Sequence, residues 1–289
     1  MESLTANSSL SLPPNQRAAL ISLLADEDHS IYQTVRDKIL STGDTASGWL
    51  RPHALSDDPL LRRRVKEIIN HIDQQTADNQ FTAFCINNGE DCSLEQGSWL
   101  LARTRYPDIN TDAYSAILDQ FAAELRERLI YQSPARHILI KFNEYFFGDL
   151  GFKGNGQNYY DPENSYLNRV IDRRTGNPIS LCTVYLLVAR RLHLPMTGVG
   201  LPGHFLCRYQ NSTDEIYVDV FNNGQFLTKA DCTQHLVRGN YDLQEHYLAP
   251  VSARRALTRT CGNLHQIYTR LGAKEDSARM QRYLVALTR

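Results

Sequence analysis

The chain has 289 residues, which is long enough to bury a substantial hydrophobic core in one large domain or in two to three small ones. Its 31 lysine and arginine residues nearly balance its 32 aspartate and glutamate residues, so no overall charge favours binding to nucleic acid or to an anionic membrane. No run of about 18 apolar residues and no signal-peptide pattern occurs, so we expect a cytoplasmic protein without membrane or nucleic-acid binding.

The first part of the chain has the pattern of a helical domain. Residues 1–15 are rich in serine, asparagine and proline and predict a flexible lead-in. From residue 16 to residue 150, apolar side chains recur at helical spacing, as in the stripe that contains Val65 and Ile72. We expect residues 16–150 to form a helical bundle, and we find no catalytic group in it.

The composition then changes to glycine, asparagine and aspartate residues, which are typical of an ordered loop. The pair Asn177 and Pro178 predicts a helix start, because asparagine caps a helix and proline suits the first helical position. Alternating segments at 204–209 and 216–221 predict two strands joined by a polar turn. We expect residues 151–248 to form a small core of one central helix against an antiparallel sheet.

A candidate catalytic pair lies on these two strands. A hairpin that is symmetric about Asn211 and Ser212 places His204 directly opposite Asp219. Directly opposed side chains begin about 5 Å apart, close enough for a carboxylate to bond an imidazole nitrogen and fix its tautomer. This pair is the base and orienter of a nucleophilic triad, and a half-buried structural pair is the alternative.

The order of loop glycine, helix start, histidine and aspartate resembles the transglutaminase-like, papain-fold superfamily. In that superfamily the nucleophilic cysteine follows the loop glycine by two positions, and the same count from Gly176 falls on Pro178. Cys182 lies one turn further into the helix, where apolar packing raises the pKa of a thiol. Core packing, a displaced nucleophile at Cys182 and a nucleophile at Ser180 remain alternatives.

Longer blocks at 146–155, 159–168, 176–181 and 202–206 resemble a bacterial family called regulator of sirC expression. That family combines a transglutaminase-like domain with tetratricopeptide-type helices, and the proline at the nucleophile position belongs to its pattern. The resemblance implies a regulatory role without defining a biochemical activity. We therefore expect a protein or peptide partner.

The last part of the chain, residues 249–289, predicts a helix hairpin that resembles one tetratricopeptide unit. Repeats of this kind need about three neighbours to bury their apolar faces, so a single unit does not form a free-standing solenoid. We expect the hairpin to dock on the core or to support a partner interface.

These patterns predict an α+β protein with a helical N-terminal bundle, a papain-like core and a C-terminal helix hairpin. We predict no metal and no cofactor, because the six cysteines are scattered without the spacing of a zinc site. The candidate catalytic residues are Cys182, His204 and Asp219, and the candidate cleft residues are Asn164, Asn168, Arg169, Arg173, Asn177, Pro178 and Ser180.

Two functional hypotheses follow from the candidate residues. The first is a noncatalytic, pseudoenzyme-type protein that binds a protein or peptide, because Pro178 fills the nucleophile position. The second is a cysteine hydrolase or acyltransferase that uses Cys182, His204 and Asp219 as nucleophile, base and orienter. For Arg169 and Arg173, a carboxylate or phosphate clamp and a loop-fixing role are alternatives.

Overall fold

A computed structural model of the protein describes residues 12–242 and 244–288, apart from the side chain at position 245. Most of the predicted lead-in, 1–15, lies outside the described residues. Within the described part, the chain forms two compact units, 12–80 with 103–108 and 81–102 with 109–288. The domain limits predicted from the sequence stay predictions.

The first unit is helical. It contains α1 (Pro14–Leu24), α2 (His29–Leu40), α3 (Thr45–Leu50), a 3-10 turn (Arg51–Leu55) and the greater part of α4 (Pro59–Asn87). Asp28 starts α2 by accepting a hydrogen bond from the Ser30 backbone N–H. Leu24, Ile39 and Val65 meet in one hydrophobic cluster, so this unit has a core of its own.

The second unit supplies the remaining helices. These are α5 (Leu94–Arg103), α6 (Thr111–Arg126), α7 (Ala135–Asn143), α8 (Leu167–Arg173), α9 (Pro178–Arg191), α10 (Lys229–Arg238), α11 (Ala253–Arg270) and α12 (Lys274–Leu287), with a π-helical turn (Glu144–Asp149) after α7. Helix α9 is the central one, and most of its side chains are buried. The ring of Tyr185 on α9 stacks on Phe142 of α7 with a centroid separation of 3.8 Å.

Two sheets complete the second unit. The short strands β1 (Lys153–Gly154) and β2 (Thr175–Gly176) are parallel. The main sheet is antiparallel and contains β3 (Met196–Val199), β4 (Leu206–Gln210), β5 (Glu215–Asp219), β6 (Gln225–Leu227) and β7 (Pro250–Val251), in the spatial order β6-β5-β4-β3-β7. The central helix and the antiparallel sheet confirm the predicted α+β class.

The register of the β4–β5 hairpin differs from the prediction by two residues. Gln210 pairs with Glu215, so the centre of the turn lies one residue later in the chain than the sequence pattern predicted. The cause is local, because the Asn211 side chain accepts hydrogen bonds from the backbone N–H groups of Thr213 and Asp214 and forms a longer turn. The prediction that His204 and Asp219 stand directly opposite each other on paired strands was therefore wrong.

The C-terminal helices α11 and α12 form the predicted hairpin, and one arginine fastens it within the second unit. Arg254 of α11 donates to the backbone carbonyls of Cys85, in the last turn of α4, and of Asn88, directly after that helix. It also donates to the carbonyls of Ala286 and Leu287 at the end of α12. A cation at helix C-termini satisfies carbonyls that have no partner in the helix, so Arg254 is structural.

Among the described residues, no helix combines the length and the apolar composition needed to cross a bilayer.

Candidate functional site

The loop before α8 is organised around Asn164, whose side chain is fully buried. Its amide nitrogen donates to the carbonyls of Asn158 and Tyr159 at 2.8 and 3.2 Å, and its side-chain oxygen accepts from Asn155 at 2.9 Å. Its backbone carbonyl accepts from the N–H of Asn177 at 3.2 Å. Since a buried amide needs such partners, Asn164 holds this loop against the start of α9.

The start of α9 is built by a reciprocal pair of hydrogen bonds. Asn177 accepts from the Ser180 N–H at 3.0 Å, and the Ser180 hydroxyl oxygen accepts from the Asn177 N–H at 3.1 Å. The Asn177 amide also donates to Ser165 at 2.9 Å, and Pro178 occupies the first helical position. A Cβ at Gly176 would lie 2.6 Å from the Ser180 oxygen, so only glycine fits there.

These contacts decide what Ser180 can do. Its hydroxyl also donates to the buried backbone carbonyl of Asn164, and the residue is only 3% exposed. A serine whose hydroxyl hydrogen is held by a carbonyl has no adjacent base to activate it. The structure therefore places Ser180 in the helix cap.

His204 and Asp219 are in direct contact at the edge of this helix start. The imidazole Nε2 lies 2.8 Å from Asp219 Oδ2. His204 precedes β4, in a turn in which Gly203 takes a φ of +72°, and Asp219 is the last residue of β5. The pair forms across the mouth of the hairpin, and Phe221 lies edge-on to the imidazole with a centroid separation of 6.3 Å.

The electrostatics fix the tautomer of His204. Burial alone would raise the pKa of the Asp219 carboxyl, but hydrogen bonds from His204 and from Asn222 outweigh that effect and lower it. The ionised carboxylate can only accept, so His204 donates from Nε2. In a neutral ring this leaves Nδ1 with a free lone pair, and no group within 12–242 and 244–288 bonds to it.

Cys182 lies one turn inside α9 and has no solvent exposure. Its sulfur lies 3.5 Å from the backbone carbonyl oxygen of Phe205. Burial raises the pKa of the Cys182 thiol well above its ordinary value, and the neighbouring Cys207 adds to the effect. The thiol is therefore neutral at physiological pH and packs in the core.

A cavity of about 340 Å³ lies in front of His204. Its walls come from three places: the loop before α8, the start of α9 with the His204 turn, and one face of α11. The lining residues are Tyr159, Tyr160, Asn177, Pro178, Ile179, Gly203, His204, Arg259, Asn263, Gln266 and Ile267. Pro178 lies in this wall, and Cys182 is not among the residues that line the cavity.

The α11 wall is the part of the site that the sequence reasoning missed. Arg259, Asn263 and Gln266 recur at steps of four and three residues, so they share one helix face, and Ile267 completes the wall. The side chains of Asn263 and Gln266 have no hydrogen-bond partner among the described residues. The signal available in the sequence was this polar stripe beside the apolar stripe of Leu264 and Tyr268.

The arginines predicted at the cleft rim bind carboxylates of their own chain. Arg169 forms an ion pair with Glu163 at 3.0 Å, and Arg173 forms ion pairs with Asp161 at 2.8 Å and Glu163 at 2.9 Å. These contacts fix the loop that precedes α8. They support the loop-fixing interpretation, and a clamp for an outside anion stays a prediction.

Asn168 lies nearby on α8, is 2% exposed, and its side-chain oxygen has no hydrogen-bond partner among the described residues. It does not line the cavity in front of His204. Within the same described part of the chain, no group of three or more His, Cys, Asp or Glu side chains converges as metal ligands would.

A capped helix start that faces a histidine–aspartate pair at the edge of an antiparallel sheet is the arrangement expected of a transglutaminase-like core. The chain belongs to the transglutaminase-like superfamily, whose sequence model matches residues 112–262. It is 36% identical over 198 residues to a UPF0162 protein of Xylella fastidiosa, a match that covers 66% of this chain and 70% of the relative. The protein is therefore a member of the UPF0162 family.

Two other relatives extend the comparison. A UPF0162 protein of Pseudomonas aeruginosa is 31% identical over 159 residues, which is 54% of this chain and 56% of the relative. F-box only protein 21 of Mus musculus is 36% identical over 151 residues, which is 48% of this chain but only 23% of that protein. No solved structure matches the chain.

Proposed function

We propose that the protein is a noncatalytic transglutaminase-like protein that binds a peptide or protein segment in the cavity in front of His204. The observation that carries this proposal is the composition of the cavity wall. His204 lines the cavity with its ring held by Asp219, and the start of α9 contributes Pro178 to the same lining. We interpret His204 and Asp219 as base and orienter, and no cysteine, serine or threonine is among the residues that line the described cavity.

The cavity offers surfaces that suit a peptide. Tyr159 is half-buried and Tyr160 is 48% exposed, so their rings provide amphipathic area at low entropic cost. Asn263 and Gln266 provide amide donors and acceptors on the opposite wall. A cavity of about 340 Å³ lies within the size range of small-ligand sites, which is enough for a few residues of an extended chain.

The regulatory part of the proposal comes from the resemblance to regulator of sirC expression. A protein that binds a segment of its partner without cleaving it regulates the partner by occupying that segment. The extent of this regulation depends on the affinity for the segment. The alternative, a cysteine hydrolase or acyltransferase, needs a thiolate at Cys182 within reach of His204. The complete burial of Cys182 and the raised pKa of its thiol favour the noncatalytic proposal.

Binding is tested by selecting a random peptide library on the immobilised protein. A Gln266→Trp variant fills the cavity from α11, and Gln234→Trp adds the same side chain at an exposed position of α10 outside it. We expect peptides enriched on the natural protein to bind Gln234→Trp equally and to lose most of their binding to Gln266→Trp. Peptides that bind all three proteins equally would contradict the proposed site.

Catalysis is tested separately with fluorogenic amide and ester substrates and with an amine acceptor. We expect no turnover above that of a Cys182→Ala variant. Turnover that disappears in Cys182→Ala and in His204→Ala, while both variants keep the unfolding midpoint of the natural protein, would replace the proposal with the hydrolase or acyltransferase alternative.

A further inference from the structure

The charge of the cavity comes from Arg259 on α11. Its Nη2 donates to the backbone carbonyls of Leu201 and His204 at 2.8 and 2.9 Å, which anchors the guanidinium at the turn that carries the imidazole. A guanidinium has five N–H donors, and these two contacts use one nitrogen. No described group accepts from Nε or Nη1 of Arg259.

This arginine has no counter-charge among the described residues. It takes part in none of their ion pairs, in contrast to Arg169 and Arg173, which bind carboxylates of the chain itself. The side chain is half-buried, and burial lowers the pKa of its guanidinium. A partly desolvated cation without an anion is unfavourable, and an anion that enters the cavity relieves that cost.

The backbone at Gly200 leaves room for the guanidinium of Arg259. A Cβ at Gly200 would lie 2.5 Å from Arg259 Nη1, so a side chain at position 200 would push the guanidinium away. Gly200 belongs to the same turn region as the two carbonyls that accept from Arg259. Because Gly200 has no side chain, the backbone at this position can lie close to the Arg259 guanidinium.

We propose that the cavity recognises a carboxylate, and that Arg259 binds it while Asn263 and Gln266 complete the contact from the same helix face. This inference rests on the proposed peptide-binding function and names the chemistry of the peptide. A carboxylate matches the planar fork of a guanidinium and carries one negative charge. Arg259 is the single permanently charged side chain among the described residues of the lining, so one negative charge balances it.

Two sources can supply a carboxylate: the side chain of an aspartate or glutamate, or the C-terminus of a chain. Four tripeptides separate these sources in titrations of the ¹⁵N-labelled protein followed by NMR. Ac-Ala-Gln-Ala-NH₂ is neutral, Ac-Ala-Glu-Ala-NH₂ has an internal acid, and Ac-Ala-Gln-Ala-OH has a terminal acid. Ac-Ala-phosphoSer-Ala-NH₂ carries a phosphate in place of the carboxylate.

We expect at least one carboxylate peptide to bind about tenfold more tightly than the neutral peptide, as for one charge-assisted contact. Arg259→Gln should abolish this preference while neutral-peptide binding remains, and Arg259→Lys should keep part of it. Arg255→Gln is the matched control, because Arg255 lies one turn earlier on α11 and lines the neighbouring cavity, which Arg259 also borders. It should change the preference little.

Each of the other outcomes would refute the carboxylate assignment, the position of the site or the proposed function. Equal binding of the neutral and carboxylate peptides would refute carboxylate recognition and leave the proposed function standing. Tighter binding of the phosphoserine peptide would refute the carboxylate assignment. A preference lost in Arg255→Gln but kept in Gln266→Trp would move the ligand to the neighbouring cavity, and binding of none of the four peptides would reject the proposed function as well.

Discussion

Replacement of Asp219 by asparagine tests the ionic character of its pair with His204. The carboxylate is 5% exposed and accepts three hydrogen bonds, one from His204 and two from Asn222. An asparagine has one oxygen, so it loses at least one of these bonds and the charge that strengthens the others. Hydrogen bonds to charged groups contribute about 1.5–3 kcal/mol each, so we expect Asp219→Asn to lower the free energy of unfolding by about 3 kcal/mol at neutral pH.

The loss should depend on pH in a defined direction. The folded protein lowers the pKa of Asp219, because the bonds from His204 and Asn222 outweigh the effect of burial. Such a carboxyl stabilises the folded state above its unfolded pKa of about 3.9, and this stabilisation is lost as the pH falls through the folded pKa. The difference between the natural protein and Asp219→Asn should therefore shrink as the pH falls below about pH 4.

The measurement is urea unfolding followed by circular dichroism at several pH values. Asp112→Asn is the matched control, because Asp112 is exposed in the first turn of α6, and we expect it to change stability by less than about 0.5 kcal/mol. A difference for Asp219→Asn that is the same at pH 3.5 and pH 7 would refute the ionised pair. ¹⁵N NMR of the imidazole adds a direct readout, since the Nε2–H tautomer should dominate only while the carboxylate is present.

Three further predictions concern α9 and the cysteines. Iodoacetamide should label the half-buried Cys92 and spare Cys182 in the folded protein, as peptide mass spectrometry can show; prompt labelling of Cys182 would contradict its burial. Gly176→Ala should lower the melting temperature because its Cβ meets the Ser180 hydroxyl at 2.6 Å, whereas Gly156→Ala meets nothing within 4 Å and should not. Ser180→Ala should cost about 1–2 kcal/mol in urea unfolding, because it removes one half of the capping box; a neutral result would argue against that cap.

The sequence was sufficient to predict the start of α9. The pair Asn177 and Pro178 predicted the start of α9, since capping and the fixed φ of proline act within one turn. The contact between His204 and Asp219 was also anticipated, although for a geometric reason that proved wrong. His204 lies just before β4 and Asp219 ends the neighbouring β5, so a shift of two positions in register still leaves the two side chains within reach.

The sequence reasoning failed for the hairpin turn, whose cause is local, and for the α11 wall, whose cause is tertiary. The side chain of Asn211 set the turn of the hairpin, and symmetry reasoning assigned no role to that amide. Arg259 and Gln266 were interpreted only as part of a helix hairpin, because nothing local indicates which face of a helix will meet a site. Their role as a wall depends on how α11 packs against α9, which the spacing of residues does not encode.

The position of α11 bears on how the protein can be shortened for experiments. The match to the transglutaminase-like model ends at residue 262, in the middle of α11, so the matched segment contains Arg259 but not Asn263, Gln266 or Ile267. Three of the four α11 residues that line the cavity therefore lie outside that segment. A fragment trimmed to the matched segment would lack this part of the wall, so binding should be measured on a chain that keeps the whole of α11.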